Sequence, residues 1–150
     1  MITYALESFE EILDELKVLL PVHYEELSLH RDVGFELDPQ FEEYIRRERL
    51  GSLVFVTMRE LGELVGYFIG FIAPGLHYKT CLTCHLDIFY LRKDKRGGWD
   101  GARLFRFTEK ELKRRGVNYW VVSSKVKQDA SALFEFLKFE PVEKLYGKWL

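Results

Sequence analysis

The part of this 150-residue chain best equipped for chemistry is Tyr90-Leu91-Arg92-Lys93-Asp94-Lys95-Arg96-Gly97-Gly98-Trp99-Asp100-Gly101-Ala102. An apolar run enters it and a helical pattern leaves it. A turn of this kind leaves several backbone N–H groups free at a helix N-terminus, where the helix dipole also favours anions. Glycines let a diphosphate approach the backbone closely. Arg92, Lys93, Lys95 and Arg96 add positive charge. The chemistry implied is the gripping of a phosphorylated ligand. A dinucleotide fold would put such a loop after the first strand of a parallel βαβ unit. Here it lies in the second half of the chain, after antiparallel-type strands. A Walker loop is excluded, because no Gly-Lys-Ser/Thr occurs.

A second string, Cys81-Leu82-Thr83-Cys84-His85, matches the Cys-x-x-Cys-His signature of c-type haem attachment. That chemistry needs export. The residues after Met1 are acidic (Glu7, Glu10, Glu11), where a signal peptide would be basic and then apolar. The string also lies in an expected strand, where Cys81 and Cys84 point to opposite faces. A zinc site lacks a second Cys-x-x-Cys pair. The expectation is no haem, no metal, and two reduced thiols in a cytoplasmic protein.

The elements that must position the loop follow from pattern. Ile2 to Leu6 reads as a first strand. Ser8, with Glu11 three residues on, has capping-box spacing. Phe9, Ile12, Leu13, Leu16, Leu19 and Leu20 follow at helical spacing. Pro21 is expected to interrupt that helix, with Val22 to His30 forming a second short one. Asp38 and Pro39 read as a cap and first turn of a helix carrying Phe41, Tyr44 and Ile45, ending at Gly51. Leu53 to Arg59 and Leu64 to Ala73 read as a hairpin around Glu60-Leu61-Gly62-Glu63. Lys79 to Leu91 is a further strand. Ala102 to Arg115 is an amphipathic helix with Leu104, Phe105, Thr108 and Leu112 inward, stopped at Gly116. Val117 to Ser123 reads as a central, buried strand, Ala130 to Lys138 as a helix, and Val142 to Trp149 as a last strand. With no internal repeat or linker, residues 1–150 are expected to form one domain.

Composition is that of a globular protein: 47% hydrophobic, 31% charged, with a net charge of −2. Its halves differ in sign. Residues 1–50 carry 5 Lys/Arg against 13 Asp/Glu, and residues 51–150 carry 17 against 11. No apolar run approaches the roughly 20 residues that span a bilayer, so no membrane partner is expected.

Taken together, the loop and its flanks resemble the GNAT superfamily of N-acetyltransferases. Arg96-Gly97-Gly98-Trp99-Asp100-Gly101 resembles its cofactor motif, usually written Arg-Gly-x-Gly-x-Gly. Asp87-Ile88-Phe89-Tyr90-Leu91 resembles the family's fourth strand. Leu133-Phe134-Glu135-Phe136-Leu137-Lys138-Phe139 resembles its "Leu-Tyr-x-x-Leu-Gly-Phe" segment. The segments His23-Tyr24-Glu25-Glu26-Leu27 and Leu76-His77-Tyr78 resemble a small subgroup common in bacteriophage and prophage genomes. The chain departs from the pattern at three places. Trp99 stands for the middle glycine, Phe134 for a tyrosine that protonates the leaving thiolate, and Lys138 for the glycine before the last Phe.

The resemblance implies an α+β fold with a mixed, mostly antiparallel sheet flanked by helices. It implies acetyl-CoA as acyl donor and a primary amine as acceptor. The donor's pyrophosphate would lie on backbone N–H groups of Arg96, Gly97, Gly98, Trp99, Asp100, Gly101 and Ala102. Its pantetheine arm would run along Phe89 and Leu91, with Phe134 nearby. Asp87 occupies the position of a catalytic carboxylate and is expected to act as base or to orient a neighbour. His85, two residues away on the same strand face, is the second choice. Tyr146 is a candidate replacement for the missing tyrosine acid, and His77 and Tyr78 are candidate acceptor contacts. The acidic early helices imply a cationic acceptor. Homodimers are common in the superfamily, although nothing in the sequence marks an interface.

Two other classes stay open at this level. Trp99 and Phe134 would suit a non-catalytic interaction protein on the same scaffold. The basic, aromatic-bearing stretch Arg92 to Arg115 would suit nucleic acid, against which the slightly acidic whole domain argues.

Overall fold

The computed structural model describes residues 1–27 and 30–150. The chain opens with strand β1 (Ile2–Leu6), helix α1 (Leu13–Leu27), a 3-10 turn at His30–Val33 and helix α2 (Phe41–Arg49). Strands β2 (Leu53–Glu60), β3 (Glu63–Pro74) and β4 (Leu82–Leu91) follow, and then α3 (Asp100–Arg114), β5 (Tyr119–Val121) and α4 (Ser131–Phe136). The five strands form one sheet in chain order. The first three pairings are antiparallel and β4 with β5 is parallel.

Period-2 alternation sends Val54, Val56 and Phe68 to one face of the sheet, and Val65 joins them because the β2–β3 register shifts there; Leu104, Phe105 and Leu112 of α3 and Phe134 of α4 cover them. Leu53, Phe55, Tyr67 and Ile69 point to the other face, against Leu16 of α1 and Ile45 of α2. With both faces covered, β2 and β3 read as nearly continuous apolar runs. Burying each large side chain such as Phe68 or Phe105 contributes about 2–3 kcal/mol. Gly70 sits at one of the tightest points of this packing. A Cβ there would lie 2.8 Å from the Cys84 sulfur and 3.0 Å from the Phe68 ring.

One irregularity shapes everything that follows. In the β3–β4 ladder Ile69 faces Ile88 but Gly70 faces Leu86, so Asp87 is an extra residue bulged out of β4. The parallel ladder to β5 covers only Thr83 to His85. Beyond it, Leu86 to Leu91 run on with no strand partner on that edge among the described residues.

Most expected elements are present, with five corrections. Helix α1 continues through Pro21 instead of breaking there. Proline loses one intrahelical hydrogen bond, but Leu16, Leu20 and His23 share one face packed on the sheet, and that packing decides. Residues 28 and 29 of the expected second helix lie outside the described residues. Helix α2 starts at Phe41 after an uncapped Gln40, and not at Pro39 with an Asp38 cap. Lys79 to Cys81 belong to the turn before β4, where the Cys81 N–H bonds the Tyr78 carbonyl. Strand β5 has three residues at the sheet edge, where a longer, central strand was expected. Val142 to Trp149 form no strand. Alternation alone cannot make a strand without an edge to pair with. This tail instead brings Trp149 to stack on Phe35, with centroids 5.8 Å apart, and edge-on to His30.

Candidate active site

The unpaired edge of β4 forms one wall of a cavity of about 510 Å³. Its floor is the loop before α3, with Gly97 and Gly98, and the first turn of α3, with Gly101 and Ala102, and its far wall is the segment from Ser123 to Leu133. Gly97 has φ 79°, a left-handed conformation that favours glycine. Helix α3 begins after Trp99, and no side chain caps its first turn, whose N–H groups remain available beside the cavity.

Trp99 does not obstruct this cradle. Its φ of −89° needs no glycine, and its ring is 61% exposed and packs on Phe136, with centroids 5.3 Å apart. Much of the loop's positive charge is spent internally. Arg96 bonds the Leu91 carbonyl and the Glu26 carboxylate. Arg92 pairs with Glu60, Glu63 and Asp94, and Lys95 with Glu60 and Asp94. An anion bound here would therefore rest on backbone N–H groups and the helix dipole more than on free side-chain cations.

A second cavity of about 510 Å³ opens on the other side of β4, between α1, α2 and the segment after the 3-10 turn. Glu36 and Asp38 contribute to its lining. Tyr24 of α1 ties that segment down by donating a hydrogen bond to the Phe35 carbonyl. The two cavities share three lining residues: His23, Ile88 and Lys125.

Asp87 stands at this junction. The bulge presents its carboxylate to Tyr44, whose hydroxyl donates a 2.6 Å hydrogen bond to Oδ2. Burial pushes the Asp87 carboxyl above its ordinary value, while the Tyr44 hydrogen bond and the Arg47 charge oppose that rise. Beside it, the His23 Nδ1 lies 3.0 Å from the Tyr67 hydroxyl. Burial first, and then the Lys125 charge, push the His23 imidazole down to about 4, so it is neutral at pH 7. Burial also raises Tyr44 and Tyr67, which stay protonated. A carboxylate with raised proton affinity, lining the first cavity and bonded to Tyr44 of the second, can accept a proton from a bound amine.

The other expected site residues divide. Phe89, Leu91, Arg96, Gly97, Gly98, Trp99, Gly101 and Ala102 line the first cavity. Asp100 turns away, accepting from the Tyr4 hydroxyl at 3.3 Å and pairing with Arg103. Phe134 is buried among Phe89, Phe105 and Phe139, and brings no hydroxyl to the site. His85 is exposed at the last rung of the β4–β5 ladder and lines neither cavity. Tyr146 is 91% exposed in the tail and is not brought to the site. His77 and Tyr78 are exposed in the turn before β4, outside both cavities. Cys84 is fully buried, with its thiol pushed up to about 12 by burial. No group of three or more metal-ligating side chains occurs among the described residues. No helix among them is long and apolar enough to cross a membrane.

Sequence reasoning missed His23, Tyr44 and Lys125. His23 was accessible, since it continues the Leu16, Leu20 face of α1 at helical spacing. Tyr44 reads only as a core aromatic, and Lys125 in its loop carries no signal.

A sheet splayed beside a bulge, with a cavity running to the N-terminus of the following helix, decides the architecture. The fold is that of the GNAT acyl-CoA N-acyltransferases. Solved structures of that fold match the whole chain. A ribosomal-protein-alanine N-acetyltransferase from Brucella melitensis matches with TM-score 0.74 and 18% identity, over 100% of this chain and 99% of that one. An aminoglycoside acetyltransferase from an uncultured soil metagenomic sample matches with TM-score 0.76 and 16% identity, again over 100% and 99%. A predicted acetyltransferase from Clostridium acetobutylicum, solved with acetyl-CoA, matches with TM-score 0.73 and 12% identity over 99% and 96%. No protein-family model and no curated protein matches the sequence. Within the GNAT fold, Lys138 takes on meaning. It has φ 68°, and the N–H of Phe139 bonds the Phe134 carbonyl at 2.9 Å. Lysine thus occupies a left-handed helix stop at the position where the motif carries glycine.

Proposed function

We propose that this protein is an N-acetyltransferase that moves an acetyl group from acetyl-CoA to a primary amine, with a cationic small molecule or lysine side chain as acceptor. The observation that carries this reading is the meeting of two cavities at His23, Ile88 and Lys125, with Asp87 beside them. One cavity ends in a backbone cradle suited to a diphosphate, and the other contains Glu36 and Asp38.

Acetyl-CoA supplies the activated acyl group as a thioester. The first-turn N–H groups of α3 and the Gly97–Gly98 loop hold its diphosphate, and the open edge of Leu86 to Leu91 receives the pantetheine arm. Asp87 takes a proton from the acceptor amine, and Tyr44 fixes the carboxylate in place. A backbone N–H on the unpaired β4 edge faces the oxyanion. Glu36 and Asp38 favour a cationic acceptor.

The test is thiol release from acetyl-CoA with a panel of polyamines, aminoglycosides and lysine peptides, set against neutral and acidic acceptors. Turnover confined to the cationic amines is expected. A preference for acidic acceptors would overturn the acceptor class. No thiol release with any amine would favour an interaction protein on this scaffold.

A further inference from the structure

The site as described has a proton acceptor but nothing to receive the charge that builds on the leaving sulfur, because Phe134 is a buried hydrocarbon ring. We infer that the ammonium group of Lys125 is the charge partner of the leaving thiolate. This rests on the acetyltransferase reading above.

Three observations converge on Lys125. It lines both cavities, and among the three residues that do so it is the one carrying a positive charge at neutral pH. Its charge bears on His23 and on Asp87, from two different elements. Its loop is built and not merely a connection. Lys125 pairs with Gln128 in a β-bridge, and the Gln128 N–H bonds the Lys125 carbonyl at 3.2 Å. Ser124 bonds Asp129 at 2.9 Å, and Lys127 bonds Asp32 at 2.7 Å, which ties the loop to the rim beside the 3-10 turn. Donor and acceptor occupy opposite cavities, so the reacting thioester belongs where the cavities meet, within the field of this cation. The other charged or titratable groups around that point include His23 of α1, Asp87 of β4, Lys95 and Arg96 of the loop before α3, Asp129 ahead of α4, and Tyr44, Glu36 and Asp38 of the acceptor wall, while the Arg47 charge bears on Asp87 and the Glu26 charge on His23.

The step balances without a further reactant. The amine lone pair forms the C–N bond, and the amine's proton passes to Asp87. The C–S bond breaks with its electron pair going to sulfur. Sulfur leaves as a thiolate paired with the Lys125 ammonium until solvent protonates it. A cation within a few ångströms of a thiolate lowers the thiol pKa, which makes it a better leaving group.

Free CoA is the probe, since its thiol needs no acceptor to report. The thiol is titrated by its ultraviolet thiolate absorbance when bound to the wild-type protein and to Lys125→Met and Lys125→Arg, with affinity measured by calorimetry. The expected result is a bound thiol that titrates lower in wild type than in Lys125→Met by about one unit or more, with Lys125→Arg restoring the shift and all three binding CoA within about tenfold. Equal titration in wild type and Lys125→Met would overturn the inference. Loss of CoA affinity in Lys125→Met, with no change in thiol titration at saturation, would reassign Lys125 to phosphate binding and overturn it equally. If wild type itself does not bind CoA, the acetyltransferase reading fails first and takes this inference with it.

Discussion

The Tyr44 hydroxyl donates a 2.6 Å hydrogen bond to the Asp87 carboxylate, joining a helix on one face of the sheet to a bulge in its fourth strand. The bond favours the ionised carboxylate, against the burial that disfavours it. Replacing Tyr44 by Phe should therefore raise the Asp87 pKa further. A base must be ionised to act, so the acidic limb of the kcat/KM pH profile should move to higher pH, with activity recovering at alkaline pH. Asp87→Asn should lower kcat by about 10²–10⁴-fold above the acidic limb, where the wild-type carboxylate is ionised, with the gap narrowing below it. An unshifted acidic limb in Tyr44→Phe would remove Asp87 from the base role.

Acid should weaken the fold through His23. Its folded pKa is about 4, against an ordinary 6.5. Between those values the unfolded chain binds a proton that the folded chain excludes, so stability falls as pH drops through that window and levels off below it. The loss attributable to this group is about 3 kcal/mol. Glu43 and Glu111, held down to about 2 by arginine partners, lose their contributions only at lower pH, below the ordinary carboxylate value of 4.5. Urea unfolding of wild type and His23→Gln at several pH values checks this. The variant should lack the loss between 6.5 and 4.

Backbone conformation gives a pair of opposite predictions. Lys138 holds φ 68° without being glycine, so Lys138→Gly should stabilise the protein by about 1 kcal/mol. Gly97 holds φ 79° as glycine, so Gly97→Ala should destabilise it by a similar amount, about 1 kcal/mol. Urea midpoints read both.

Gly70→Ala should be more damaging than either. Its Cβ would press on Cys84 and Phe68 inside the core, at 2.8 and 3.0 Å. Overpacking of this kind costs about 1–3 kcal/mol. A midpoint unchanged from wild type would mean that β3 and β4 separate more easily than their packing indicates.

Most of this architecture was legible in the sequence because the cues were local. Leu104, Phe105, Thr108 and Leu112 mark the buried face of α3, and Gly51 and Gly116 mark helix ends with positive φ. Errors arose where a tertiary contact outweighed a local rule. Pro21 did not break α1, because the residues around it pack on the sheet. Val142 to Trp149 alternate like a strand but found no edge, and Trp149 docked on Phe35. The lining of the first cavity was legible in large part, since much of it is one contiguous loop and one strand. The junction was not, since Asp87 meets a tyrosine 43 residues away and Lys125 arrives from another loop. Trp99 reads in the sequence only as a departure from the motif, because its side-chain direction is not written in its position.

The most direct test of the central claim is calorimetric binding of acetyl-CoA to the wild-type protein and to a Gly98→Glu, Gly101→Glu double variant. A Cβ at Gly98 meets nothing within 4 Å and one at Gly101 makes only ordinary contacts, but Gly101 is buried, so circular dichroism and the urea midpoint first establish that the variant, with two carboxylates in the cradle, is folded. Micromolar binding by wild type, abolished in the variant, is the predicted result. No binding by wild type, or equal binding by both proteins, would contradict the assignment of this cavity to the acyl donor.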